Sequence, residues 1–326
     1  MFDIFNPQVS VIAKGLEGKV ITVYGGNNLG KTKQASRMNK PYYLPFEKGL
    51  NAISGIKHLP INSWGDFKKI NKQLTKVSTL SKVKELYQTI IFDEIEAASR
   101  YCQRYICNKY ESETIAEGRG GYGLWKEYET EFWEEITKLI GAGFTVVFIA
   151  HQVTDENGKV LPKGDKRALA PIIDNSDIVV HVRSNGVDEA NRVIKSSAYL
   201  AETDKFFARS RFDYIDTYIE EFTAENLEAT IIKGIERQEQ AEGIPAVTYE
   251  EQKSMQQSEE LSYEDLMNAI AHTGKALQQQ GKLEQVTDVV ENRLGVGKKV
   301  SECTKHQVQV MAVILDDLKD LLSETE

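Results

Sequence analysis

"VYGGNNLGKTKQ", Val23 to Gln34, decides the fold. Its centre, Gly25 to Thr32, has the spacing G-x-x-x-x-G-K-T. In such a loop successive backbone N–H groups turn inward around a triphosphate, helped by the N-terminus of the helix that follows. The segment Gly25, Gly26, Asn27, Asn28, Leu29 and Gly30 forms the cradle, with Gly25 and Gly30 allowing the tight turn. Lys31 reaches the β- and γ-phosphates, and Thr32 offers a hydroxyl to Mg²⁺. The context supports this reading: Lys19 to Tyr24 is an apolar strand candidate running into the loop, and a short helix must end before Pro41.

The second requirement is a carboxylate at the end of a neighbouring strand to orient the metal. "QTIIFDE", Gln88 to Glu94, supplies it at Asp93, so ATP and Mg²⁺ are the expected ligands. "PYYLP", Pro41 to Pro45, and "FTVVFIAHQ", Phe144 to Gln152, are further apolar strands. Between them lie helical stretches: Ser63 to Val77 carries Trp64, Phe67, Ile70 and Leu74 on one stripe, and Gly123 to Gly143 is a longer helix. Apolar strands alternating with helices imply a mostly parallel sheet covered on both faces. Beyond residue 170, "SDIVVHV", "NRVIKSSAYL" and "DKFFARSRFD" read as an antiparallel extension.

Among the 326 residues no apolar run reaches the ~20 needed to span a membrane. The first residues lack a signal-peptide pattern, so a cytoplasmic protein is expected. Three cysteines without C-x-x-C spacing or nearby histidines argue against a zinc set. The net charge is −9, and its distribution is uneven: residues 236–326 hold 18 acidic and 9 basic side chains, whereas residues 1–235 hold 31 of each. A neutral body with an acidic tail is compatible with DNA binding through local loops, for which the tail could compete.

Three regions follow: an ATPase core over 1–235, a flexible Gln/Glu-rich linker over 236–261 and an acidic helical region over 262–326. In the last, Ser262 and Asp265 form a capping box and Gly281 stops the first helix. Val308, Met311, Leu315, Leu318 and Leu322 then make a stripe that one helix cannot bury alone.

Taken in order, the glycine loop, "EKGL" after the second strand, the Asp93 strand, "FIAH", "SDIVV" and the late "ARSR" resemble the phage RecA-like single-strand annealing proteins, also described as phage nucleotide-binding or AAA-type P-loop ATPases. The likeness covers roughly residues 15–225 and leaves the tail outside. It implies a RecA-like P-loop α/β core with a small C-terminal helical appendage, acting as a homo-oligomeric ring or filament on single-stranded DNA. Hydrolysis needs a group to activate water, and two compete: Glu47, in the RecA-like position, and Glu94, adjacent to Asp93 as in AAA+ motors. By the same likeness His151, with Gln152, senses the γ-phosphate, although a strand-end histidine making a local hydrogen bond reads similarly. Arg209 and Arg211 would reach a neighbouring subunit's ATP site; a solvent-facing strand explains them equally well.

The resemblance also places DNA contacts in two loops, 117–125 and 152–170. The first offers Arg119 and Tyr122, a phosphate contact and a stacking face. The second offers Lys159, Lys163, Lys166 and Arg167, diluted by acidic residues. The tyrosines of "RYCQRYICNKY" suit core packing better than base stacking. Three functions are compatible: an ATP-dependent single-strand-binding recombinase or annealing protein, a AAA+-type or RecA-like helicase loader or motor, and a nucleotide-gated protein whose tail recruits a single-strand-binding or replication protein.

Overall fold

The computed structural model describes residues 5–47, 49–256 and 262–323. Lys48 of the "EKGL" motif and the last part of the expected linker, 257–261, fall outside the described residues. The chain divides into two compact units, Val11–Gln252 and one containing the C-terminal helices.

The larger unit is built on a nine-stranded sheet. Strands β1 (Val20–Gly25), β2 (Pro41–Pro45), β3 (Thr89–Asp93), β4 (Thr145–Thr154) and β6 (Ile178–Arg183) are parallel and lie in the order β2-β3-β4-β1-β6. The Asp93 strand is therefore not the neighbour of the glycine-loop strand, because β4 runs between them. Strand β5 (Val160–Pro162) folds back on the end of β4, giving a hairpin directly after the expected sensor. Strands β7 (Ser197–Tyr199), β8 (Arg209–Ser210) and β9 (Tyr218–Ile219) make the antiparallel extension. It is more fragmentary than the sequence suggests: of "NRVIKSSAYL" only three residues are strand, and Val193 is 78% exposed.

Helices cover both faces. On one, α2 (Trp64–Leu74), α4 (Ile95–Lys109), α5 (Trp125–Gly141) and α6 (Lys166–Asn175) pack on the sheet. Ser63 caps α2 by accepting from Asp66 N at 3.1 Å, and the expected stripe of Trp64, Phe67, Ile70 and Leu74 is buried. Trp64 stacks on Phe132 of α5, and Phe67 meets Phe92 of β3 edge-on. Burying each such ring contributes on the order of 1.5–3 kcal/mol. The remaining helix of this face is α3 (Leu80–Leu86). The opposite face is covered by the five-residue α1 (Lys31–Ala35) and by α7 (Ala224–Glu242).

The boundary expected after residue 235 falls inside α7, and the chain beyond it rejoins the core. Val247 bonds in parallel fashion with the segment before β1: Lys14 N donates to Val247 O at 2.7 Å, and Val247 N to Ile12 O at 3.0 Å. Tyr249, opening α8 (Tyr249–Gln256), lays its ring against Gly18 and Gly143, where a Cβ would meet it at 2.0 and 2.3 Å. The glutamine- and glutamate-rich stretch reads as a linker by composition, yet its few apolar residues are enough to dock it.

The second unit contains α9 (Tyr263–Gln279), α10 (Leu283–Leu294) and α11 (Val308–Ser323). Ser262 caps α9 by accepting from Asp265 N, and Gly281 follows it with φ of 78°. Met311, Leu315 and Leu318 of the α11 stripe bury against Leu266, Ile270 and Leu277 of α9. No helix among the described residues is long and apolar enough to cross a membrane. All three cysteines are free thiols.

Candidate nucleotide site

The parallel strands end on one side of the sheet, and there the glycine loop leaves β1 between β4 and β6. A Cβ on Gly25 would lie 2.4 Å from Val182 O, so only glycine fits where the loop starts beside β6. Gly30 adopts φ of 83° immediately before α1, a left-handed turn that favours glycine. Lys31 is buried under the loop it belongs to, its Nζ donating to the carbonyls of Gly25 (3.0 Å) and Gly26 (2.6 Å). Desolvation lowers its pKa, opposed by the charges of Asp93, Glu47 and Glu94.

Thr32 Oγ1 donates to Asp93 Oδ2 at 2.6 Å, bridging the strand that separates them. The same oxygen accepts from the Tyr43 hydroxyl at 2.7 Å, while Oδ1 is buried without a partner. Burial raises the Asp93 pKa, and its bonds to Thr32 and Tyr43 pull the other way. A hydroxyl beside a carboxylate with one unsatisfied oxygen is a hard-oxygen donor set, which fits Mg²⁺ rather than a thiophilic metal. Tyr43 is absent from the sequence reading. Its only signal is its place in the middle of β2, and the register alone brings it under Asp93.

Phe46 N donates to Asp93 O at 2.7 Å, so the chain leaving β2 crosses the end of β3 and delivers Glu47. Glu47 Oε2 lies 3.6 Å from Nε2 of His151, which projects from β4. Glu94 completes the group: one ligand-type atom from each of Glu47, Glu94 and His151 lies within 4.8 Å of the others. The two carboxylates differ in environment. Glu47 is held below the usual carboxylate range by the His151 imidazole beside it, and His151 is raised chiefly by Glu47. Glu94 is buried, accepts from Ala97 N at 3.1 Å to cap α4, and is raised by desolvation. A cavity of about 730 Å³ is bordered by Lys31, Thr32, Asp93, Glu47 and His151 but not by Glu94. The peptide bond joining Asp93 and Glu94 is cis.

A family model described as AAA domain matches residues 17–212, from just before β1 to just after β8. The chain belongs to this AAA domain family. It is also 67% identical, over 322 residues and 99% of both chains, to the SPbeta prophage-derived uncharacterized protein YorG of Bacillus subtilis (strain 168). The AAA domain match takes in the glycine loop, Glu47, Asp93, Glu94 and His151, and ends before α7.

The other expected residues lie elsewhere within the AAA domain. Arg209 and Arg211 sit at the opposite end of the sheet, since β8 pairs with the start of β6. Arg209 Nη2 donates to the carbonyls of Ile173 (2.7 Å), Asp174 (2.9 Å) and Ser176 (3.1 Å), and Arg211 Nη2 to Asp174 O (2.5 Å). They close the C-terminus of α6, where cations complement the helix dipole. This use of the pair is neither of the two roles open from the sequence.

The segment 152–170 is a hairpin and the start of α6 rather than an open loop. Most of the expected DNA-binding cations have internal partners. Lys159 pairs with Glu202, Lys163 with Glu96 at 3.0 Å and Arg119 with Glu127 at 2.5 Å, while Arg167 stacks 4.4 Å over Trp125. Lys163 also borders the nucleotide cavity. Lys166 is exposed, and Tyr122 is 92% exposed beside Gly121 and Gly123. Tyr101 and Tyr105 pack against the core, as their spacing suggests, whereas Tyr110, just past the end of α4, is exposed.

Proposed function

We propose that this AAA domain protein is a phage-derived ATPase that binds single-stranded DNA under the control of its nucleotide, acting as a recombination or annealing protein in a ring or filament. The observation that carries the reading is the convergence of Lys31, Thr32, Asp93, Glu47 and His151 on one cavity at the ends of the strands. Lys31 would neutralise the β/γ-phosphates, and Thr32 and Asp93 would hold Mg²⁺. Held by Thr32 and Asp93, Mg²⁺ would supply positive charge against the negative charge developing on the transferred phosphoryl group. Glu47 borders the cavity and is ionised, so it can orient the attacking water and take its proton as oxygen joins phosphorus and ADP departs. His151 holds Glu47 in place. Glu94, turned into α4, supports His151 from behind, which weighs against a AAA+-type motor whose base would be Glu94.

Control of DNA would run through β4. His151 and Gln152 belong to the same strand as the hairpin that continues to Thr154, so a change at the γ-phosphate position moves a segment facing solvent. The prophage origin of the Bacillus subtilis relative supports a phage source and, with it, the host cytoplasm. The helical tail remains the natural place for a replication partner. Fluorescence anisotropy with a labelled oligo-dT at low salt tests the reading: affinity should differ between ATP-analogue and ADP states and fall steeply with salt. No binding in any nucleotide state would overturn it.

A further inference from the structure

A second cavity, about 770 Å³, lies on the other side of the glycine loop. Asn27, Leu29 and Gln152 border both cavities, so they form a common wall. The Gln152 amide packs 4.0 Å from where a Cβ on Gly26 would stand. The far wall is the end of β6, with His181 and Arg183, together with Lys205. Lys205 is fixed by its backbone: Val160 N of the hairpin donates to Lys205 O at 2.8 Å, and Phe207 N returns a bond to Val160 O at 3.0 Å.

Three features give this cavity a chemistry. No aspartate or glutamate lines it, although the chain carries a net charge of −9. Arg183 and Lys205 are both exposed, and among the described residues neither side chain makes an ion pair or a hydrogen bond. His181 is 4% exposed, its ring lies between Tyr24 (4.9 Å) and Phe206 (4.6 Å), and its Nδ1 is buried without a partner. Burial, with Arg183 nearby, lowers the His181 pKa to about 4, so its imidazole is neutral and can donate a hydrogen bond. Two free cations above a neutral donor suit an anion. With no carboxylate to accept from ribose hydroxyls, the lining fits a backbone phosphate better than a second nucleoside.

We propose that this cavity receives a phosphodiester group of single-stranded DNA through Arg183 and Lys205, and that the wall of Asn27 and Gln152 couples its occupancy to that of the nucleotide cavity. The proposal rests on the single-strand-binding reading and names where the strand meets the nucleotide site. It moves the contact from the expected cations, most of which are internally paired, to two that are not.

The test uses the full chain with Arg183→Gln and Lys205→Gln together, and Lys205→Gln alone, each checked for a wild-type circular dichroism spectrum. Binding of labelled oligo-dT is measured across a salt series, and a fluorescent ATP analogue is titrated without DNA. The double variant should lose oligonucleotide affinity and lower the slope of log K against log salt by about 0.7, the value for one lost phosphate contact, with Lys205→Gln alone losing about half of that. Analogue affinity should be unchanged. If wild type binds the oligonucleotide and the double variant matches it in affinity and slope, the subsite is wrong and the broader reading stands. If wild type does not bind, the broader reading fails and takes the subsite with it. If the variants lose ATP-analogue affinity instead, the cations serve the nucleotide and the proposal is overturned.

Discussion

Thr32 and Asp93 meet through a 2.6 Å hydrogen bond although β1, which leads through the glycine loop to Thr32 at the start of α1, is separated by β4 from β3, which ends at Asp93. The pairing depends on two turns at the same end of the sheet, one after each strand. It also means that a single metal-binding pair reports on the alignment of three strands. Removing the metal should therefore weaken nucleotide binding in the wild type by about ten-fold or more, the equivalent of one charge-assisted contact. Thr32→Ala should lose most of that response to a chelator. Titration of a fluorescent ATP analogue with and without excess EDTA measures both.

Lys31→Ala should weaken the same analogue by roughly 10- to 100-fold, the range for hydrogen bonds to a charged group. Because Lys31 is buried against the carbonyls of Gly25 and Gly26, its loss also leaves those acceptors without a donor.

Glu47→Gln should lower ATP hydrolysis by about 10²–10⁴-fold while leaving nucleotide affinity near wild type, as expected when a general base is removed. Glu94→Gln should affect hydrolysis less and stability more, because Glu94 caps α4 and does not border the cavity. Phosphate release in single-turnover conditions separates the two; a larger defect in Glu94→Gln would reverse their roles.

The Glu47–His151 pair has a calculable sign. His151 is raised above 6.5, so its stabilising contribution is complete below 6.5 and is lost as pH rises through the raised value. Glu47 is lowered below 4.5, so its contribution is present above 4.5 and is lost as pH falls through the lowered value. The melting-temperature gap between wild type and His151→Gln should therefore be widest between about pH 4.5 and 6.5 and shrink on either side. A gap that grew steadily into the alkaline range would contradict the pairing.

Arg209→Ala should destabilise the larger unit by about 1.5–3 kcal/mol in denaturant unfolding, since it removes the charged donor to three carbonyls. Below the transition, hydrolysis should be unchanged. A folded variant without hydrolysis would restore the inter-subunit role.

The strands and the phosphate loop were legible because their signals are local: an apolar run, a glycine spacing, a carboxylate at a strand end. The order of the strands was not, and so the placing of β4 between the glycine-loop strand and the Asp93 strand was invisible. Tyr43 illustrates the same limit, since only pairing between β2 and β3 puts its hydroxyl on Asp93. Charge was misleading in a different way. Arg119, Lys159 and Lys163 look available in one dimension, but folding gives each a carboxylate, while Arg183 and Lys205 find no partner among the described residues.

Tyr249 fills the space that Gly18 and Gly143 leave open at the starts of β1 and β4. Trimming the chain where composition changes, near residue 235, would strip this plug and expose the backs of the two strands that bear the glycine loop and His151. Loss of activity after such a cut would then report a damaged ATPase rather than a missing partner site. Any deletion meant to probe the tail has to spare Gln252.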